Sequence, residues 1–265
     1  MSVERLDTAL VVRGLVASRT KAQRLIDSGV VEVNGAVVTK PSTSVDSTSS
    51  LRLLRQDTDV GRGAEKLRAA LQTWSLPVRG EAAADIGAST GGFTQVLLEY
   101  GARAVVAIDV GHQQLDQRLR SDERVISLEG LNATDLNPGM WTQRALPADV
   151  TVVTVDLSFI SLGKVLPTLV ETFGVHSHYV CLVKPQFEVG RNGVDRGVVK
   201  DANRREKSLR GVAGACADLG LTPRGVLLSP ITGERGNVEY LLYASATSSV
   251  HPAEWDGSVP KTAVS

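Results

Sequence analysis

Between Ala82 and Gln186 the chain alternates short apolar runs with amphipathic stretches: AAADIG, TQVLLEYG, AVVAIDV, VISLEG, DVTVVTVDLSF and YVCLVKPQ. Apolar runs of this length suit strands buried on both faces, and the helical stretches between them suit the crossovers that parallel neighbours require. A doubly wound α/β domain is therefore expected over most of the chain, its sheet covered by helices on both sides. Ligands in such sheets bind beyond the carboxyl ends of the strands. The residues that matter most are then those where strands stop: Asp85 to Thr90, Asp109, Glu129 to Asn132, Asp156 and Lys184.

The first of these strand ends reads GASTGGFT, Gly87 to Thr94. It satisfies the phosphate-loop pattern G-x-x-x-x-G-K-[ST] at every position except the lysine, where Phe93 stands. Without that lysine nothing neutralises a triphosphate, and glycines at 87, 91 and 92 do not make the dinucleotide pattern G-x-G-x-x-G. Asp109 nevertheless stands about 20 residues on, where a ribose-binding acid belongs. A flexible turn and a ribose acid suit S-adenosylmethionine, which has a ribose and a methionine tail but no pyrophosphate. A strand-to-helix turn whose glycines serve geometry alone fits the same string, and a carboxylate ending a strand is often only a cap.

The N-terminal stretch has a different grammar. RLDTALVVRGLVASRTKAQRLIDSG reads as two short helices ended by Gly14 and Gly29, with Ser18 as N-cap of the second. VVEVNGAVVTK alternates around Asn34-Gly35, a strong hairpin signal, and LRLL reads as the module's last strand. Between Arg13 and Arg24 the only charged residues are Arg13, Arg19, Lys21 and Arg24. That surface suits either a solvated helix face or contact with backbone phosphates.

Charge elsewhere adds little, because Lys plus Arg and Asp plus Glu both number 29; attraction to nucleic acid has to come from local clustering. Cys181 and Cys216 lack metal-ligand spacing, and no metal site is expected. The start, MSVERLDTAL, does not read as a secretory signal, and VTVVTVDLSFISL is too short to span a bilayer and carries Asp156. A cytoplasmic protein without a membrane partner is the expectation.

Two strings place charge directly after apolar strands: Asp156 in TVVTVDLSFISL and Lys184 in YVCLVKPQFEVG, where Pro185 stops the strand. Glu239 in SPITGERGNVEYLLY and Lys66 in GRGAEKLRAAL are the other candidates. Taken singly, each also fits a surface or ion-paired residue. Burial disfavours a charged ammonium while a nearby carboxylate favours it, and that balance sets whether Lys184 can accept a proton.

Together these strings resemble a known family. SRTKAQRLIDSGVVEVNG is similar to the RNA-binding module of ribosomal protein S-four type, and RG-A-E-KL, DIGASTGGFT, DLSFISL, LVKPQFEVG and SPITGERGNVEY resemble the TlyA family of ribosomal-RNA 2′-O-methyltransferases, whose larger domain is of FtsJ (RrmJ) type. The resemblance implies a Rossmann-like S-adenosylmethionine-dependent domain behind a small α+β RNA-binding domain. It implies methylation of cytidine ribose in 16S and 23S ribosomal RNA within ribosomal subunits. It also implies a catalytic tetrad of Lys66, Asp156, Lys184 and Glu239. Cofactor contacts are implied at Asp85, Gly87, Ser89, Gly91, Phe93, Asp109 and Asn132, and RNA contacts at Arg13, Arg19, Lys21 and Arg24. The expected divisions are 1–56 for the RNA-binding domain, 57–63 for a linker, 64–246 for the methyltransferase domain and 247–265 for a disordered tail. The chain departs from the family at its joint, which reads QDTDVGRG in place of R-x-W-V, and at DVGHQQL, where the family has D-V-G-Y-G-Q-L. Two other functions stay open at this point: a non-catalytic ribosome-assembly factor, and the membrane-active haemolysin for which the family is also named, against which the lack of a long apolar or basic amphipathic segment argues.

Overall fold

The computed structural model describes residues 3–16, 18–27, 29–54, 59–190 and 194–246; the expected tail, 247–265, lies outside them. The chain divides into two compact units, Met1–Thr58 and Asp59–Ser265.

In the first unit β1 (Glu4–Arg5) pairs antiparallel with β4 (Ser44–Val45), and β2 (Val31–Val33) pairs antiparallel with both β3 (Ala36–Val37) and β5 (Leu51–Leu53). Helices α1 (Leu6–Val12) and α2 (Arg19–Asp27) bury Leu6, Leu10, Leu25 and Ile26 in the unit's own core. The local signals act as their chemistry demands. Ser18 Oγ accepts from the Lys21 N–H at 3.3 Å. Asn34 (φ 52°) and Gly35 (φ 82°) supply the two left-handed residues that a two-residue hairpin turn needs.

The second unit is a seven-stranded sheet of order β11-β12-β10-β9-β6-β7-β8. Its strands are β6 (Ala82–Ile86), β7 (Ala104–Asp109), β8 (Val125–Glu129), β9 (Val150–Val155), β10 (His178–Val183), β11 (Thr222–Leu228) and β12 (Tyr240–Ser245). β6 to β10 run parallel, as the apolar runs predict. β12 departs from that expectation: it lies antiparallel between β10 and β11, because a hairpin-like return from β11 brings it back along its neighbour.

Side chains alternate across the sheet with a period of two. Ala82, Ala84 and Ile86 face a core shared with α6 (Pro138–Gln143), α7 (Leu162–Phe173) and α9 (Ala202–Asp218). Ala83 faces the opposite core with α3 (Gly63–Thr73), α4 (Gly92–Glu99) and α5 (Gln117–Arg120). Helix α8 (Pro185–Glu188) follows β10 directly. Cys181 and Cys216 are free and buried, and burial pushes the Cys216 thiol up to about 12. They pack as small apolar groups. The strand order reverses between β6 and β9, so a crevice opens where Gly87 and Asp156 leave their strands.

Candidate active site

Two adjoining cavities occupy that crevice. One, of about 870 Å³, is lined by the end of β6, Asp109, Asn132 and the turn after Asp156. The other, of about 390 Å³, is lined by Lys66, Asp156, Lys184, Glu239 and the loop from Gly87 to Thr90. They share Gly87, Ser89, Asp156, Ser158, Phe187 and Glu234, so each opens into its neighbour.

The glycine loop is shaped by close backbone approach. Gly87 has φ +86°, and a Cβ there would lie 2.4 Å from the Asp156 carbonyl oxygen; no other residue lets β6 and β9 end so close together. Ser89 is also left-handed (φ 48°), and its N–H donates to Asp109 Oδ2 at 2.8 Å. The Gly111 N–H donates to Asp109 Oδ1 at 2.7 Å, so the carboxylate is held from both sides at the end of β7. Asn132 caps a short 3-10 turn by accepting from the Thr134 N–H at 3.1 Å. Where the family carries glycine in DVGYGQL, Gln113 adopts φ 55°, its N–H held by Glu129 at 2.9 Å.

The sequence candidates do not all reach the cavities. Asp85 is wholly buried beneath the loop, accepting from Thr94 Oγ1 at 2.6 Å and Thr154 Oγ1 at 3.0 Å. Burial, opposed by those hydroxyls, raises its carboxyl to about 6. Its side chain supports the loop from below, and it is not among the residues that line the two cavities. Gly91 is likewise a packing residue, since a Cβ there would come within 2.2 Å of Leu119. Phe93 is buried in the core that holds Ala64, Leu67 and Leu97 and also lines the smaller cavity.

The four charged candidates form two pairs. Lys66, in the first turn of α3, donates to Glu239 Oε2 at 2.6 Å, and both are buried. Glu239 stands just before β12, and Gly233 packs so tightly over it that a Cβ there would collide with its carboxylate. Lys184 Nζ lies 2.6 Å from Asp156 Oδ1, an ion contact without hydrogen-bond alignment, and donates to Ser158 Oγ at 3.0 Å. Arg62 closes the rim by donating to the Thr232 carbonyl.

Phe159 is the residue that sequence reasoning misses. It is 89% exposed with φ 66°, lines the larger cavity, and meets Phe187 at a ring-centroid distance of 5.2 Å. Its apolar neighbours in DLSFISL make it read as core. Among the basic residues that follow Lys184 in the chain, Lys200 pairs with Asp195 at 2.8 Å and Arg205 turns onto the Val199 and Lys200 carbonyls, while Arg191 lies outside the described residues.

The basic face of the first unit is organised by an acid that its local sequence does not show. Asp7, fully buried, accepts from Arg5 Nε and Nη2 at 3.0 Å, Arg19 Nε at 3.0 Å and Gln23 Nε2 at 2.8 Å. These donors hold its carboxyl far below the usual carboxylate range. Arg13 is committed to the carbonyls of Ser49 and Asp46, each at 2.6 Å. Lys21 is half-buried on α2, and the Arg24 side chain lies outside the described residues.

A doubly wound sheet with an antiparallel strand inserted beside β10, a glycine loop after its first strand and a lysine-rich cavity at the switch point define a methyltransferase-type α/β domain. Residues 60–246 match the model of the FtsJ-like methyltransferase family and residues 4–49 that of the S4 domain. The chain belongs to the TlyA family, in which an FtsJ-like methyltransferase domain follows an S4 domain. It is 46% identical to the 16S/23S rRNA (cytidine-2′-O)-methyltransferase TlyA of Mycobacterium tuberculosis, over 90% of this chain and 88% of that one. It is 39% identical to Hemolysin A of Brachyspira hyodysenteriae, over 90% and 98%. A solved structure, a putative hemolysin from Streptococcus thermophilus, is similar at 38% identity and a TM-score of 0.70, covering 94% of this chain and 90% of that one. Among the described residues no helix is long and apolar enough to cross a membrane, and no group of His, Cys, Asp or Glu could hold a metal ion.

Proposed function

We propose that this protein methylates the ribose 2′-hydroxyl of cytidine in 16S and 23S ribosomal RNA within ribosomal subunits in the cytoplasm, with S-adenosylmethionine as donor. The observation that carries the reading is the convergence of two lysine–carboxylate pairs, from four separate segments, on one cavity that opens into a loop-lined one. The larger cavity fits the donor. Its volume falls in the range of small-molecule sites, about 300–1,000 Å³. Gly87 lines it with bare backbone, and Asp109 is held where a ribose diol needs an acceptor. In this reading Gly87 and Ser89 border the methionine end, Asp109 takes the ribose and Asn132 lies beside the base. The donor supplies a methyl group already activated on a sulfonium sulfur, so the chain has to align one hydroxyl oxygen and remove one proton.

Lys184 Nζ is the group for that proton, which it takes as the neutral amine. Asp156 Oδ1 at 2.6 Å and Ser158 Oγ at 3.0 Å hold it in place, while the Lys66–Glu239 pair forms a fixed wall against which the nucleotide is positioned. Arg19 and Lys21 of the first unit, with Arg13 and Arg24, serve RNA phosphates; Asp7 holds Arg19 in place, and Arg13 works through the loop it ties down. The test is Lys184→Ala on subunits lacking the modification. Transfer should fall about 10²- to 10⁴-fold with RNA and donor binding retained, and near-normal transfer would overturn the assignment. Identical 2′-O-methyl maps of ribosomal RNA from cells with and without the protein would overturn the function itself.

A further inference from the structure

Helix α7 begins in an unusual way. Ser161 occupies its N-cap position, yet the serine side chain makes no capping bond. The Leu162 N–H donates instead to Glu188 Oε1 at 2.9 Å, and the Ser161 hydroxyl donates to Glu188 Oε2 at 2.6 Å. A serine at this position ordinarily caps its own helix without help. Here the same task falls to a glutamate from a different element, whose burial pushes its carboxyl up against the pull of those two bonds. That is a costlier cap than the local one, because a carboxylate must be desolvated to make it. What it adds is a cross-link. Ser161 and Leu162 follow Asp156 and Ser158, and Glu188 follows Lys184, so the two segments are joined at both ends: by Lys184 against Asp156 and Ser158 inside the cavity, and by Glu188 outside it.

We propose that Glu188 is a positioning residue for methyl transfer, stapling the segment that carries Asp156 to the segment that carries Lys184 and so setting the place of Lys184 Nζ. This rests on the function proposed above. Glu188 lies away from the reacting groups, in the wall of a separate cavity of about 570 Å³ with Arg204 and Lys207 of α9. Arg204 is held by Asp201 at 3.7 Å, and on the sheet side Glu188 is felt by the buried thiol of Cys181. The carboxylate's own hydrogen bonds therefore go to the α7 start.

The experiment uses the full chain with Glu188→Ala, Glu188→Gln, Ser161→Ala and the Glu188→Ala/Ser161→Ala pair. Expected is a drop in kcat of about 10- to 100-fold for Glu188→Ala, the scale of a misplaced catalytic group, with KM for ribosomal subunits within about twofold. Glu188→Gln, which keeps one acceptor, should recover part of the loss, and the double variant should be no worse than Glu188→Ala. Hydrogen exchange in the unliganded protein should quicken across 157–163 and stay unchanged in β6. An unchanged kcat, a strictly additive double variant or unaltered exchange at 157–163 would each overturn the proposal. If Glu188→Ala fails to fold, Glu188→Gln and Ser161→Ala decide it by the same readings. A wild-type protein without transfer activity would remove the proposed function, and the exchange measurement would still test the staple.

Discussion

The two lysine–carboxylate pairs of the cavity have the same 2.6 Å separation and opposite characters. Lys66 and Glu239 are aligned as a hydrogen bond with side chains only 9% and 2% exposed; Lys184 and Asp156 are unaligned, 12% and 20% exposed, and the lysine is shared with Ser158. The first pair is a joint between α3 and the start of β12, and the second lies nearer the open side of the cavity. In the proposed function the more exposed pair handles the proton and the enclosed pair positions the nucleotide. The largest effect that could break this comparison is on stability. Lys66→Ala leaves Glu239 buried without its partner and should cost about 3–5 kcal/mol, read by urea unfolding. Lys184→Ala, whose partner Asp156 is 20% exposed, should cost less, about 1–3 kcal/mol, while lowering transfer about 10²- to 10⁴-fold. Equal stability losses for the two would show that the pairs do the same structural job.

A third carboxylate beneath the same rim sharpens the contrast, since Asp85 is buried with the hydroxyls of Thr94 and Thr154 as its side-chain partners and with the Asp156 carboxylate near enough to raise its pKa. Its folded-state value near 6 stands above the ordinary 3.8, so the folded protein binds the extra proton. The stability linked to that proton is fully present below about pH 3.8 and is lost as pH rises through about 6. Asp85→Asn removes the titration. Relative to the parent, the variant should be favoured more at pH 7.5 than at pH 4, by up to about 3 kcal/mol. Urea unfolding of both proteins at the two pH values checks it, and a constant difference would place Asp85's proton affinity at its unfolded value.

What could be read from the chain follows the range of the interactions. Strand ends, the Asn34-Gly35 hairpin and the loop at Gly87 are local, set by backbone conformations that few residue types accept. Asp156 and Lys184 stand out for another reason, that each places charge at the end of an apolar run, whereas Lys66 and Glu239 are grouped with them only by the family resemblance. Non-local partners leave no such trace. No acid stands between Arg13 and Arg24, yet Asp7 reaches Arg19 from α1 and makes that face a built network. Glu188 reads as one more charge in a basic stretch until the fold brings α7 to it. The direction of β12 is similarly hidden, because its apolar pattern is the same whichever way it runs.

Phe159 is the hardest case and gives the smallest expected effect. An aromatic among Leu157, Ile160 and Leu162 has the pattern of a core residue, and only the left-handed backbone at Phe159 turns it outward over the larger cavity. It directly follows Ser158, the partner of Lys184, and lines the larger cavity together with Asp156 and Ser158, giving that side of the cavity an aromatic face. A ring this exposed contributes little to folding, and Phe159→Ala should leave stability within about 0.5 kcal/mol. If the ring stacks on the target base, the same change should weaken productive RNA engagement by about 1–3 kcal/mol, seen as lower kcat/KM on ribosomal subunits with donor affinity unchanged. Phe159→Tyr should keep most of the activity and Phe159→Leu should not, because a stacked base needs the flat face of the ring and a merely apolar contact does not.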